Sequence, residues 1–198
     1  MWNKKRQYTS LHKSYKNAMK FVKKINDHHR DIDGVLEIEL DPFEDHKGQI
    51  WSIYENCDIF PDFVEDKVTI SKKNVLRGLH GDKETHKLIC CLSGEIFLAI
   101  ADIRSESETF GQTMTFHLSD KKPKTILVPA GCLNGHLCLS ERCLFFYKWS
   151  KKYNGPDNQI TVKWDDPLLG INWPTKEPIL SKRDQDAKYL KRNFFSDR

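Results

Sequence analysis

The stretch NVLRGLHGDKETHKLICCLSGEIF, residues 74–97, joins two apolar, strand-forming runs and places Arg77, His80 and Lys87 among them. Polar groups inside a sheet cost free energy unless they are hydrogen-bonded or used for binding. Strict alternation along a strand would put Arg77 and His80 on opposite faces. A bulge at Gly78 would re-aim its neighbours and let both side chains enter one cavity. The stretch therefore predicts paired β-strands that enclose a polar site.

Short strand-like segments continue on both sides of this stretch. After Gly34 they are VLEIEL, QIWSIY, KVTIS, VLRGLH, KLICCL, EIFLAIADI, TMTFHL, TILVP, CLFFYKW and QITVKW. Turn sequences such as EDHKG, KKPK, PAG and NGPDN separate them, without intervening helices. With 198 residues, the chain is long enough for one domain with a sizeable core. The pattern predicts a mainly β protein, an antiparallel sandwich or barrel.

The leading segment has a different period. Between Thr9 and Asn26 the apolar positions recur at helical spacing, with lysines between them: Leu11, Tyr15, Met19, Val22 and Ile25. This predicts an amphipathic helix. The chain therefore divides into an N-terminal helical extension, residues 1–33, and a β domain, residues 34–198. The closing stretch SKRDQDAKYLKRNFF predicts short C-terminal helices.

Charge and hydropathy limit the partners of the chain. The net charge of +4 arises in residues 1–30, which hold nine basic residues and one acid, Asp27. A solvated helix face accounts for this surplus better than nucleic-acid binding, because aromatic and basic residues are not interleaved. No apolar run approaches the roughly 20 residues that span a bilayer, and the N-terminus lacks the apolar core of a secretory signal. We expect a cytoplasmic protein with no nucleic-acid partner and no membrane insertion.

Metal and redox chemistry have little support in the sequence. The six cysteines form no C-x-x-C pair and are expected to be free, reduced thiols. Metal-binding barrels commonly use two histidines one residue apart and a third after a P-x-G turn. Here LHG lacks the second histidine and PAGCLN places Asn134, a poor transition-metal ligand, at the last position. No G-x-G-x-x-G occurs either. We expect neither a metal nor another cofactor.

Several blocks occur in a fixed order from Val75 to Asp184: VLRGLH, KLI, SGEIFLAIADIRSESETFG, LSD, VPAG, FFYKWSKKYN, KWDDPLLGINWP and LSKRD. Together they resemble the dTDP-4-dehydrorhamnose 3,5-epimerase family over roughly the last two-thirds of the chain. The resemblance implies a metal-independent cupin fold, a β-sandwich or jelly-roll barrel. It also implies a nucleotide-diphosphate sugar as substrate and a homodimer in which N-terminal strands complete the partner's sheet.

The resemblance implies a division of labour among four residues. His80 removes a proton from the carbon beside a ketone, and Asp184 pairs with that imidazole. Lys87 lies near the keto oxygen, and Tyr147 returns a proton from the opposite face of the sugar. Inversion next to a ketone passes through an enolate, which needs a base, an acid on the other side and positive charge at the oxygen. Among the substrate-binding residues, Arg77 matches the arginine that contacts the pyrophosphate, with Arg183 as a second candidate.

The chain departs from the family pattern at two places. The family motif P-x-G-x-x-H-G-F reads PAGCLNGHL here, so Asn134 replaces a histidine and His136 follows two residues later. Both are expected to contact the substrate. The nucleotide-contacting stretch F-x-Q-D-N reads FVEDK, which places Glu65 and Lys67 where they would face the base. This change favours GDP over dTDP, as in family members that act on GDP-linked 4-keto-heptoses in capsule synthesis.

Four functions stay open at this point. The first is an epimerase that inverts C3 and C5 of a nucleotide-linked 4-keto-hexose or 4-keto-heptose, for capsule or surface polysaccharide synthesis. Asn134 motivates the second, an epimerase that inverts C3 alone, because an amide cannot titrate. The third is a dTDP-sugar 3,4-ketoisomerase, and the fourth is a cupin that binds sugar nucleotides without turnover.

Overall fold

A computed structural model of the chain describes residues 22–26 and 32–190. Its elements in chain order are β1 (Val22–Asn26), β2 (Leu36–Leu40), β3 (Phe43–Asp45), β4 (Gly48–Ile50), β5 (Glu65–Lys72), β6 (Leu76–Gly81), β7 (Lys87–Ser93), β8 (Glu95–Asp102), β9 (Thr113–Ser119), β10 (Lys124–Val128), β11 (Cys132–Cys138), β12 (Arg142–Trp149), β13 (Ile160–Thr161) and helix α1 (Lys182–Gln185).

The strands form two principal sheets. One has six strands in the order β1-β2-β10-β7-β12-β5, and the other has five in the order β13-β6-β11-β8-β9. Strands β3 and β4 make a separate hairpin. Neighbours within both sheets pair antiparallel. The predicted mainly β, antiparallel architecture is confirmed.

Strand β7 shows how the sequence sets the layers. Its run of buried residues is continuous because both faces of this central strand are covered. Ile89 and Cys91 enter the core between the sheets. Leu88 lies in a second apolar cluster, with Trp51 and Phe63 packed against it. Lys87 shares the parity of Ile89 and Cys91, so alternation along β7 directs its side chain between the sheets.

A bulge joins the two polar residues of β6. On β11, Asn134 and His136 are two residues apart. Their register partners on β6, His80 and Arg77, are three residues apart, so β6 carries one extra residue at this point. Gly78 has φ +136°, and a Cβ there would lie 2.5 Å from the Cα of Gly135. Only glycine fits this close approach. The predicted bulge at Gly78 is confirmed.

Two predicted helices differ from the structure, and one strand was missed. The helix predicted over residues 9–26 is wrong at Val22–Asn26, because this segment pairs with β2 of the same chain and the sheet's hydrogen bonds override the helical period. Its earlier residues lie outside those described. The division at residues 33 and 34 stays a prediction. The helix predicted from residue 181 ends at Gln185, and residues 191–198 lie outside the description. Strand β11 was not predicted, because Asn134-Gly135 interrupts its apolar pattern.

The described residues contain no helix long and apolar enough to cross a membrane. The six cysteines are free thiols, five buried and Cys57 partly exposed, as the sequence predicted. Across residues 22–26 and 32–190, no three His, Cys, Asp or Glu side chains converge in a way that could hold a metal ion.

Candidate active site

An open cavity of about 360 Å³ is lined by both sheets of the sandwich. Strands of both sheets and helix α1 supply its wall: Lys67, Thr69, Arg77, His80, Lys87, Asn134, His136, Phe145, Tyr147, Trp149, Tyr153, Gln159, Ser181, Arg183 and Asp184. Every site residue predicted from the sequence lines this cavity except Glu65. The fold therefore brings together side chains that are up to 117 positions apart in the chain.

His80 and Asp184 form a hydrogen-bonded pair. Nε2 of His80 lies 2.6 Å from Oδ1 of Asp184, whose side chain is 2% exposed. Ser181 caps α1 and donates from Oγ to Oδ2 of Asp184 over 2.7 Å. Burial by itself raises the pKa of Asp184, but the hydrogen bonds from His80 and Ser181 outweigh it and hold the pKa below its usual value. The pair thus presents an imidazole that is oriented by a charged carboxylate.

Lys87 is a buried ammonium that touches both sheets. It projects from β7, and Nζ donates to Oδ1 of Asn134 over 2.7 Å and to the carbonyl oxygen of His80 over 3.2 Å. Nζ also lies 5.1 Å from the ring centroid of Trp149. Burial lowers the pKa of Lys87 to about 8. A cation is therefore held beside the imidazole, inside the cavity.

Tyr147 lies on strand β12 between two aromatic residues of the same face. Its ring centroid is 5.0 Å from that of Phe145 and 5.8 Å from that of Trp149. Alternate residues of a strand share a face, so these three aromatic side chains line the same side of β12, which is the cavity wall. Burial raises the pKa of Tyr147, with the positive charge of Arg77 acting against it. The phenol is therefore protonated at neutral pH.

His136 has an unsatisfied nitrogen in the cavity wall. Its ring stacks on Phe145, with centroids 3.9 Å apart and planes at 9°. The residue is 3% exposed, and its buried Nε2 has no hydrogen-bond partner among the residues that the structure describes. Burial, together with the charges of Arg77 and His80, lowers the pKa of His136 to about 3. This imidazole is neutral at physiological pH.

The two arginines differ in how much of their hydrogen-bonding capacity the protein uses. Arg77 is exposed and donates from Nε to Oγ of Ser71 over 3.2 Å. Arg183 donates from Nε and Nη2 to Oγ1 of Thr161, and from Nη1 to Oε1 of Gln159. Arg77 is thus the more available of the two for an anionic ligand.

A charged and aromatic cluster adjoins the cavity. Nζ of Lys67 lies 3.8 Å from the ring centroid of Tyr153, 4.4 Å from that of Trp149 and 3.3 Å from Oε1 of Glu65. Glu65 accepts the Tyr153 backbone N–H over 2.6 Å. This hydrogen bond lowers the pKa of Glu65. Glu65 therefore lies just outside the cavity wall, tied to two residues that form it.

Some wall residues were not proposed from the sequence as site residues. Thr69 shares the strand face of Lys67, and Trp149 that of Tyr147, so alternation was an available signal. Ser181 opens the stretch SKRDQDAKYLKRNFF, for which the sequence predicted only helical structure. Gln159, in the turn before β13, gave no signal, because its place in the wall depends on long-range packing.

The cavity combines the groups that proton transfer beside a carbonyl requires. A carboxylate-oriented imidazole can accept a proton, a neutral phenol can donate one, and a buried ammonium can stabilise negative charge on oxygen. The exposed guanidinium of Arg77 at the same cavity suits a phosphate.

Comparison with known proteins agrees with this arrangement. A family model described as "dTDP-4-dehydrorhamnose 3,5-epimerase" matches residues 29–192. The dTDP-4-dehydrorhamnose 3,5-epimerase of Salmonella typhimurium is 38% identical over 170 residues, which cover 80% of this chain and 92% of that protein.

Two solved structures extend the comparison. The dTDP-6-deoxy-D-glucose-3,5-epimerase of Legionella pneumophila, in complex with dTDP-4-keto-L-rhamnose, has a TM-score of 0.78 at 32% identity and covers 84% of this chain and 92% of its own. A 3'-monoepimerase from Streptomyces bikiniensis, in complex with dTDP-quinovose, has a TM-score of 0.73 at 27% identity, with coverages of 80% and 84%. The expected cupin-type β-sandwich is confirmed.

The names of these relatives refer to dTDP sugars. The comparisons therefore do not support the GDP-linked substrate that the sequence favoured. They do support a nucleotide sugar as substrate and an epimerase, hence an isomerase, as the class of enzyme. By the extent of the family match and by its identity to curated relatives, the chain belongs to the dTDP-4-dehydrorhamnose 3,5-epimerase family.

Proposed function

We propose that this enzyme inverts C3 and C5 of a nucleotide-linked 4-keto sugar by proton removal and return. The observation that carries the proposal is the His80–Asp184 hydrogen bond of 2.6 Å in the cavity that Lys87 and Tyr147 also line. A carboxylate fixes the tautomer of a neighbouring imidazole and stabilises its charged form, which is what a general base requires.

In the proposed reaction, Nδ1 of the His80 imidazole, the nitrogen that is not hydrogen-bonded to Asp184, takes the proton from the carbon beside the ketone. The electrons of that C–H bond move to the keto oxygen, and the enolate is held by the Lys87 ammonium. Tyr147 then protonates the carbon from the opposite face, and its phenolate regains a proton from solvent. His80 releases its proton to solvent, so the cycle needs no oxidant or reductant.

A dTDP-linked sugar is our first choice of substrate, because the curated and solved relatives described above carry that nucleotide in their names. Arg77, Lys67 and Arg183 provide positive charge at the cavity for the diphosphate.

A GDP-linked 4-keto-hexose or 4-keto-heptose is the second candidate, and Glu65 is the observation that favours it. A carboxylate only accepts hydrogen bonds, and guanine carries two adjacent donors, N1–H and the exocyclic amine. Thymine has a single N–H between two carbonyl groups that a carboxylate would repel. Glu65 is held beside Tyr153 and Lys67, so its carboxylate is oriented next to the cavity wall. A substrate of this kind would place the enzyme in capsule or surface polysaccharide synthesis.

Two further parts of the proposal concern the state of the protein. We propose a homodimer, supported by the sheet-edge strand β5, where Val68 and Ile70 are 54% and 51% exposed. Light scattering during gel filtration tests this, and a monomer at micromolar concentration contradicts it.

A cytoplasmic location suits the free thiols.

One incubation in heavy water tests the function. Purified protein is mixed with a dTDP-4-keto-6-deoxyhexose, a GDP-4-keto-6-deoxyhexose or a GDP-4-keto-heptose, with His80→Asn as the inactive control. Two deuterons in the product, detected by mass spectrometry, support inversion at C3 and C5. One deuteron, located at C3 by NMR, indicates the C3-only epimerase that Asn134 motivates. A ketone at C3 by NMR indicates a 3,4-ketoisomerase, and binding without exchange indicates a non-catalytic cupin.

A further inference from the structure

Lys87 is held by two neutral oxygen atoms that belong to the opposite sheet. The residue comes from β7 of the six-stranded sheet, whereas Asn134 and His80 are register partners on β11 and β6 of the five-stranded sheet. The shorter of the two hydrogen bonds, 2.7 Å, is to the side chain of Asn134. Asn134 and the backbone of His80 therefore fix where the ammonium lies.

No carboxylate among the described residues lies within ion-pair distance of Lys87 Nζ. An ammonium has three donors, and oxygen atoms of the described residues accept two of them. The third is left for the cavity that Lys87 lines. The positive charge is thus oriented by its neighbours without being neutralised by them.

We propose that Asn134 is a positioning residue that aims the Lys87 ammonium at the keto oxygen of the substrate and leaves its charge intact. The inference rests on the proposed epimerase function. In it, the Asn134 amide acts by holding Lys87, not by contacting the sugar. An aspartate at this position would orient the ammonium but neutralise it. An alanine would leave the ammonium held only by the carbonyl oxygen of His80, at 3.2 Å.

Other charged groups around Lys87 also affect its pKa. Besides burial, which lowers the Lys87 pKa most, Asp82 and Cys132 raise it, and Arg183 and Lys67 lower it. All four are unchanged in variants of Asn134. A shift in the titration of Lys87 in such variants therefore reports on the amide itself.

The test titrates Lys87 in the full-length protein by NMR of 13C-labelled lysine, with the signal assigned by its loss in Lys87→Met. Asn134→Ala removes an acceptor that stabilises the charged form, so the Lys87 pKa should fall by about one unit. Asn134→Asp adds a carboxylate, so the pKa should rise. Asn56→Ala, an exposed asparagine outside the cavity, should leave it unchanged.

Kinetics with the sugar that the wild type turns over complete the test. We expect kcat to fall roughly 10- to 100-fold in both variants. The basic limb of the pH profile should move to lower pH in Asn134→Ala and to higher pH in Asn134→Asp. A raised KM without any shift of the Lys87 titration would overturn the proposal, because Asn134 would then act on the sugar alone. An unchanged Lys87 pKa in both variants would also overturn it.

The NMR arm does not depend on turnover. If the wild type exchanges no sugar protons, the proposed function fails, yet the titration still decides whether Asn134 controls the ammonium. If the wild type is active and the titration does not move, the positioning role fails alone. Circular dichroism confirms that each variant is folded before either measurement.

Discussion

Nε2 of His80 lies 2.6 Å from Oδ1 of Asp184, although 104 positions separate the two residues in the chain. The contact links the strand that carries the proposed base to the first turn of helix α1, where Ser181 also holds the carboxylate. A proton acceptor is thereby oriented before any substrate arrives.

Asp184→Asn should lower kcat roughly 100-fold or more, because the amide keeps the size of the side chain but not its charge. The imidazolium formed during proton removal then lacks its counter-ion. Steady-state kinetics with a 4-keto sugar nucleotide measure the loss. Asp186→Asn, an exposed carboxylate that pairs with Lys182, is the matched control and should behave as wild type. Equal activity of the two variants would remove Asp184 from the mechanism.

Lys87→Met should abolish turnover and stabilise the fold. Burial lowers the Lys87 pKa from 10.5 to about 8, so the folded state bears a penalty for the charge. The buried charge lowers the free energy of unfolding by its full amount below about pH 8. This loss decreases as pH rises and is absent above about 10.5. The gain in unfolding free energy should therefore be largest at neutral pH, about 3 kcal/mol at most. Denaturant titrations at pH 7 and pH 10.5 measure it, with exposed Lys83→Met as control. A less stable variant at pH 7 would contradict this account.

Glu65→Gln combined with Lys67→Asn restores the F-x-Q-D-N pattern of the family and should change nucleotide preference. Glu65→Gln removes the carboxylate that favours guanine, and the loss of the Lys67 charge affects the diphosphate of either nucleotide alike. We expect the ratio of kcat/KM for dTDP- over GDP-linked substrate to rise at least tenfold, mainly through KM. Isothermal titration with dTDP and GDP gives a second measure. If neither ratio moves, these two positions do not contact the base.

His136→Phe should reduce acid sensitivity. Burial lowers the pKa of His136 from 6.5 to about 3, so between these values the unfolded chain binds a proton that the folded state does not. Wild-type stability therefore decreases as pH falls below 6.5, whereas the variant lacks this term. The difference in unfolding free energy should be near zero at pH 7.5 and about 3 kcal/mol near pH 4. Thermal melts of the wild type and His136→Phe between pH 4 and pH 7.5 test this. If the stability of both proteins changes with pH in the same way, the prediction is refuted.

The sequence was informative where a short pattern controls geometry. Alternation along β12 put Tyr147 on the face of Phe145, and the glycine between Arg77 and His80 indicated the bulge that turns both toward one cavity. The fixed order of family-like blocks supplied the cupin fold. These features depend on neighbours within a few residues or on several motifs together.

The sequence failed where distant segments decide the outcome. Residues 22–26 carry a helical period, but the free edge of β2 draws them into a strand. Strand β11 reads as a loop until two neighbouring strands supply its hydrogen bonds. The contact between Lys87 and Asn134 joins two sheets, and no local spacing encodes it.

The central claim is that two groups act on one carbon from opposite faces, and Tyr147→Phe in heavy water tests it most directly. With the phenol removed, His80 should still exchange the sugar proton and return deuterium to the same face. We predict deuterium in the recovered substrate with its configuration retained, while exposed Tyr189→Phe inverts as the wild type does. Inversion at an undiminished rate in Tyr147→Phe would contradict the account.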